Sequence, residues 1–264
     1  MSSSPSHPAG PVLEIAVQDP AGAAIARTAG ADRIELCAAL GATGGLTPSP
    51  GTLRACAGVW HDAPLPAVHV LLRNRPGGFV YSPGEISVLV DDVALAVELG
   101  ASGVVIGALT PDAELDRGGI RRLVDAARTA ERAAGRRVEV TFHRAMDVAA
   151  DPVAALRALA GLGVDRVLTS GGAARVGLGL AELGRLVEAG TGVQIMAGGG
   201  VTIDDIAPLC ALGVDAVHLS AKTVEPDPGA AGPGGGTAGD LEVTSPETVE
   251  RAYREIRRCR GGGT

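Results

Sequence analysis

Lysine is nearly absent from this chain: of 23 basic residues, Lys222 is the single lysine. With 30 acidic residues the net charge is −7, and nothing gathers the arginines into the basic stripe that a phosphate backbone requires. Aromatics are as scarce, at 2% of residues, so a platform for stacking bases is missing too. A nucleic-acid partner is excluded. No apolar run approaches the roughly 20 residues of a membrane span, which excludes a membrane partner. Residues 1–11 are rich in Ser and Pro and lack an apolar segment, so they read as a floppy tail rather than a signal peptide. The four cysteines, Cys37, Cys56, Cys210 and Cys259, are scattered with no CxxC pair. A reduced, cytoplasmic protein is the expectation.

What is present is core material and a repeat. Hydrophobic residues make up 46% of 264, enough for one large core. Ala29-Gly30-Ala31-Asp32-Arg33-Ile34-Glu35-Leu36 is echoed at 99–106, 162–169 and 212–219. In each copy an amphipathic helix ends at a glycine suited to a left-handed cap, and a strand follows at once. The pattern yields eight strands, at about 12–17, 33–37, 67–73, 103–109, 138–145, 166–171, 194–200 and 216–221. Helical stretches separate them, for instance 91–99, 119–134, 152–162 and 203–212. Eight alternating units fit an α/β fold, a single (β/α)8 TIM barrel over 12–260. A doubly wound open sheet is the runner-up, but no glycine-rich dinucleotide turn follows the first strand. Residues 226–239 are low-complexity Gly/Pro/Ala and read as a mobile loop, and 261–264 as a second tail. Thr244-Ser245-Pro246-Glu247 starts the last helix, whose Arg254, Arg257 and Arg258 read as a solvated end.

The greasier face of each strand must pack on helices, which leaves the other face inside the barrel. That inner face carries Glu14, Glu35, Arg73, Glu139, His143 and His218, where Val, Ile and Leu usually stand. Unpaired buried charge costs several kcal/mol, so these residues must pair or face a ligand. Glu14 and Glu139 fall early in their strands and suit a structural ion-pair network. Arg73, His143 and His218 fall late, at the catalytic end. There Arg73 and Arg75 offer forks for a carboxylate or phosphate. Two glycine turns, Ser170-Gly171-Gly172 and Gly198-Gly199-Gly200, offer backbone N–H groups to an anion, and Arg144, where the fifth strand gives way to its loop, is a further candidate to bind it.

Five motifs in order resemble the CutC family: 30–37, Gly44-Gly45-Leu46-Thr47-Pro48-Ser49, Thr141-Phe142-His143-Arg144-Ala145-Met146-Asp147, 168–172 and 195–201. The resemblance covers roughly 12–260. It implies a TIM barrel and a cytoplasmic role in copper homeostasis, with Cys37 matching the family's strand-2 cysteine. Cys37 is then the expected metal ligand for Cu(I), which prefers thiolate and thioether donors. Met196, His143 or His218 are candidates to complete a mixed site. The neighbouring cysteine that some members carry in strand 1 is Ala16 here. The family's Arg-Pro-Arg-Gly-Gly-Asp-Phe loop reads Arg73-Asn74-Arg75-Pro76-Gly77-Gly78-Phe79, so a role for that carboxylate does not carry over. Lys222 is unmatched and reads as exposed, as Cys56, Cys210 and Cys259 read as small core residues or bystanders.

Two functions are therefore expected of the mouth. One is copper handling through Cys37. The other is catalysis on a small anionic or phosphorylated ligand. There His143 would be the general acid/base, oriented by Glu35 or Asp147, and His218 a second proton carrier. The sequence leaves the oligomeric state open, a homodimer through exposed apolar helix faces being one candidate.

Overall fold

The computed structural model describes residues 10–63, 67–226 and 240–261. Eight parallel strands close in sequence order into a barrel. They are β1 (Val12–Val17), β2 (Arg33–Leu36), β3 (Val68–Leu71), β4 (Gly103–Ile106), β5 (Glu139–Phe142), β6 (Arg166–Thr169), β7 (Gln194–Gly198) and β8 (Ala216–Leu219). Around them run α1 (Pro20–Thr28), α2 (Leu40–Thr43), α3 (Pro50–Val59), α4 (Pro83–Glu98), α5 (Arg117–Ala134), α6 (Pro152–Leu162), α7 (Leu180–Glu188), α8 (Ile206–Ala211) and α9 (Pro246–Gly261). Several strands stop short of their expected ends, because the chain leaves the ladder there to build the mouth.

The repeat has a physical purpose. Gly30, Gly100, Gly163 and Gly213 all take left-handed backbone angles, which only glycine adopts without cost. Two residues later stands Asp32, Ser102, Asp165 or Asp215. Its side chain accepts the N–H of the preceding strand, from Leu13, Val68, Val140 and Ile195 respectively, at 2.7–2.9 Å. Its backbone N–H donates back to the carbonyl of that same residue. Each even strand thus clasps the odd strand before it at the N-terminal end. A donor that no neighbouring strand reaches is satisfied four times over.

The main core lies between the outer strand faces and the helices. Leu13, Ile15, Ile34, Leu36, Val70, Val104, Val140 and Val167 pack there with Ile86, Leu89, Ile120, Leu156, Leu183 and Leu209. Burying each such side chain contributes about 1.5–3 kcal/mol. Inside the barrel, apolar residues form only two small clusters: Val12, Leu168, Met196 and Ala216, and Cys37, Leu71 and Val105.

Four expectations change. The helix expected at 91–99 begins two turns earlier, where Ser82 and Glu85 cap each other's N–H groups ahead of Pro83. A hairpin unforeseen from the sequence pairs β9 (Lys222–Pro226) with β10 (Asp240–Thr244), so Pro226 belongs to a strand. The rest of the expected loop, 227–239, lies outside the described residues, as do 1–9 and 262–264 of the two tails. Within those tails, Pro11 is tied down by Arg260 through its carbonyl, and Gly261 ends α9. Cys210 and Cys259 are not bystanders: a disulfide joins α8 to α9 across 49 residues, leaving Cys37 and Cys56 free. Closing a loop of that length removes unfolded-state entropy equivalent to about 4 kcal/mol in the chain-entropy account.

Candidate active site at the barrel mouth

The barrel floor is an ion-pair network. Arg166, almost wholly buried, donates to Glu139 at 2.9 Å, to Gln194 at 2.6 Å and to Thr141 at 3.2 Å. Arg33 pairs with Glu14 and reaches the Met196 sulfur at 3.4 Å. Burial works against the charge on Glu139, but Arg166, His69 and Arg33 prevail and hold its pKa at about 2. Glu14 is likewise kept well below the carboxylate range, with Arg33 and His218 overcoming burial. His69 stands 3.5 Å from Glu139, yet burial and the nearby arginines lower its pKa to about 3. It is neutral at pH 7, so that contact is not an ion pair. Arg166 was absent from the inward residues expected from the sequence. Its signal was there, an arginine opening a strand as Arg33 does.

Above this floor His218 links network to cavity. Its Nδ1 lies 2.7 Å from Glu14 and its Nε2 3.7 Å from Glu35. Burial opposes a charge on His218, but the two carboxylates raise its pKa above the ordinary value. Burial lifts Glu35 to about 7, with the Glu14 charge adding to the rise against His218 and Arg33. Glu35 makes no hydrogen bond among the described residues.

A cavity of about 530 Å³ opens over these groups, lined among others by Glu35, Arg73, Phe79, His143, Arg144 and His218. Arg73 donates to the carbonyls of Thr43, Gly45 and Gly77, at 2.6–2.8 Å. It is buried, and no carboxylate among the described residues lies within ion-pair distance. His143 Nδ1 accepts the Ala145 N–H at 3.1 Å, so the ring proton sits on Nε2, which has no partner. Burial, then Arg73, lowers its pKa to about 3. Phe79 packs on the imidazole with centroids 4.7 Å apart, and a Cβ at Gly107 would strike the ring. Neither residue was expected at the site; their partners become visible only once β3, β4 and β5 are side by side.

The remaining expected residues divide. Gly199 and Gly200 line the cavity with left-handed angles, and Val201 joins them. Their N–H groups have no acceptor among the described residues. Arg144 leans over Gly199, held by Asp147 at 2.7 Å and Ser170 at 3.2 Å. Gly198 spaces β7 from Leu168 and His218, whose atoms a Cβ would meet. The Ser170-Gly171-Gly172 turn does receive an anion, but that anion is Asp147. Its Oδ1 accepts the N–H groups of Ser170 and Gly172 and the hydroxyl of Thr169. Asp147 therefore shapes this loop and makes no hydrogen bond with His143. Arg75 points elsewhere, paired with Glu85 and lying over Tyr81 at 4.9 Å. Lys222 lines the rim and pairs with Glu242.

Comparison with known proteins decides the family. The CutC family model matches residues 12–223. The chain belongs to the CutC family. CutC family proteins of Salmonella typhimurium and Salmonella enteritidis are each 41% identical over 217 residues, covering 82% of either chain. Among solved structures, the putative copper homeostasis protein CutC from Streptococcus agalactiae superposes with a TM-score of 0.70. It is 30% identical, over 79% of this chain and 98% of that one. A putative phosphonomutase from Burkholderia cenocepacia, 21% identical with a TM-score of 0.60, shares the fold alone. No described helix is long and apolar enough to cross a membrane.

The donor set of this CutC chain does not fit a Cu(I) site. Cys37 is fully buried among Leu40, Leu71 and Val105, outside the cavity lining, and its thiol faces the Val17 carbonyl at 3.8 Å. Burial, with Glu35 nearby, pushes its pKa up, away from the thiolate a metal needs. Ala16 offers no second sulfur, and the Met196 thioether already accepts from Arg33. Among the described residues no group of three or more His, Cys, Asp or Glu side chains is placed to hold a metal ion.

Proposed function

We propose that this chain is an enzyme that binds a small anionic substrate at the barrel mouth. The observation that carries the reading is Arg73. It is a buried cation on the cavity wall, with no carboxylate partner among the described residues. Such a charge is costly unless a ligand supplies the opposite one. The N–H groups of Gly199, Gly200 and Val201, with Arg144 above them, would take a second polar end of that ligand. His143 would act as a neutral donor through Nε2 rather than as the base, and Glu35 would carry the exchangeable proton. A role in copper homeostasis, as the Streptococcus agalactiae protein's description states for that protein, would run through the small molecule handled here and not through a bound ion.

The test is a ligand screen by thermal shift and calorimetry with small carboxylates and phosphate esters. Hits should weaken at least roughly tenfold in Arg73→Lys, which keeps the charge but loses the planar fork. Hits that bind this variant and Arg73→Ala as tightly as the wild type would remove the reading.

A further inference from the structure

Three groups on the cavity wall each lack a partner of a different kind. Arg73 has no anion among the described residues. His143 carries a buried Nε2–H with no acceptor among the described residues, its tautomer fixed by the Ala145 amide. The Glu35 carboxylate accepts no hydrogen bond among the described residues, and His218 Nε2 stands 3.7 Å from it. A ligand that answers all three must bring a negative end, an acceptor oxygen and an acidic hydrogen into one cavity. Lys222 is paired with Glu242, the Ser170 hydroxyl donates to the Ala173 carbonyl at 2.6 Å, and Cys37 is sealed beneath Leu71 and Leu40.

Resting on the anion-site reading above, we infer that the substrate is a small 2-oxo carboxylate and that the reaction is proton transfer at its C3. The carboxylate lies on Arg73, the C2 carbonyl oxygen on His143 Nε2, and C3 faces Glu35. The C3–H bond breaks and its proton passes to a Glu35 oxygen. The electron pair of that bond forms the C2–C3 double bond while the carbonyl π pair moves onto oxygen. The enolate oxygen takes a stronger hydrogen bond from His143 than the carbonyl did, which is where transition-state stabilisation arises. Return of the proton from Glu35 to C3 closes the cycle, with no oxidant, reductant or co-reactant. His218, held by Glu14 at 2.7 Å, stands beside Glu35 throughout. A neutral imidazole suits this task, because its Nε2–H donates to the enolate without first protonating it.

The experiment uses the full chain in D2O with pyruvate and 2-oxobutyrate as probes. Deuterium entry at C3 is followed by proton NMR, and binding by calorimetry. Wild type should exchange at least about 100-fold faster than buffer. Glu35→Gln should lose that acceleration with its Kd unchanged. Should Glu35→Gln fail to fold, Glu35→Asp, which retracts the carboxylate by one carbon, should slow exchange roughly tenfold or more. Binding that depends on Arg73 without exchange above buffer, or exchange unaltered in Glu35→Gln, would overturn the proton-transfer assignment and leave the anion site standing. Failure of either 2-oxo acid or inorganic phosphate to bind in an Arg73-dependent way would overturn both.

Discussion

His143 shows at the residue scale how a buried group reports its surroundings. Its pKa falls from 6.5 to about 3 on folding, because burial and Arg73 both disfavour the imidazolium. The unfolded chain therefore binds this proton first as pH drops, and stability is lost through the window from 6.5 down to 3. The slope from one such group is about 1.4 kcal/mol per pH unit. His69, Glu14, Glu35 and Glu139 titrate in or near the same window, but they are common to wild type and His143→Gln. The difference between the two proteins thus isolates His143. We expect the unfolding free energy of His143→Gln, read from urea melts, to fall more slowly with acid between pH 6.5 and 4, the gap changing by that amount per unit. Parallel profiles would mean that His143 titrates normally. The sequence showed His143, Glu35, His218 and Arg73 as polar residues on inward positions, and they do meet at one cavity. It could not show that Arg75 is taken by Glu85, or that the 170–172 turn is filled by Asp147. A donor is legible in a sequence; the acceptor that satisfies it belongs to the fold.

At the scale of elements the four clasps carry the argument. The repeat of helix, glycine and strand was plain in the sequence, because left-handed caps demand glycine and the spacing recurs. That the polar residue before each even strand reaches back to the odd strand was not, since the two lie about twenty to thirty-five residues apart. Asp215 does this with one backbone bond to Ile195, whereas Asp165 also pairs with Arg128 and Arg137. We expect Asp215→Ala to cost about 2 kcal/mol and Asp165→Ala distinctly more, read from urea midpoints at constant slope. Equal costs would mean that the arginine contacts contribute nothing, as many exposed pairs do. The β9–β10 hairpin was missed for the opposite reason. Its arms are short, and the Gly/Pro-rich stretch between them masks any alternation.

For the whole molecule, the burial of Cys37 bears on metal handling. Reduced protein under anaerobic conditions, titrated with Cu(I) against a competing chelator, should bind weakly and equally in wild type and Cys37→Ser. Tight one-to-one binding that vanishes in the variant would require the thiol to emerge from beneath Leu40 and Leu71. It would also make the copper role direct. The barrel itself was legible in outline: eight strands in order, with helices between them and the inward face marked by charge on five of the strands. Its interior was half legible, because charge on an inward face is visible while the pairing of Arg166 with Glu139 is not.

All four clasps sit at the end of the barrel remote from the cavity, and each joins two strands that are neighbours in the chain. The molecule is in this sense assembled from four stapled quarters on a common chassis. At the opposite rim the links run between loops and strand ends, as Asp147 bonds Thr169 and Arg73 bonds Gly45. Loops on that rim, the β9–β10 hairpin that begins at Lys222 among them, can lengthen, shorten or change chemistry while the staples go on holding the same cylinder.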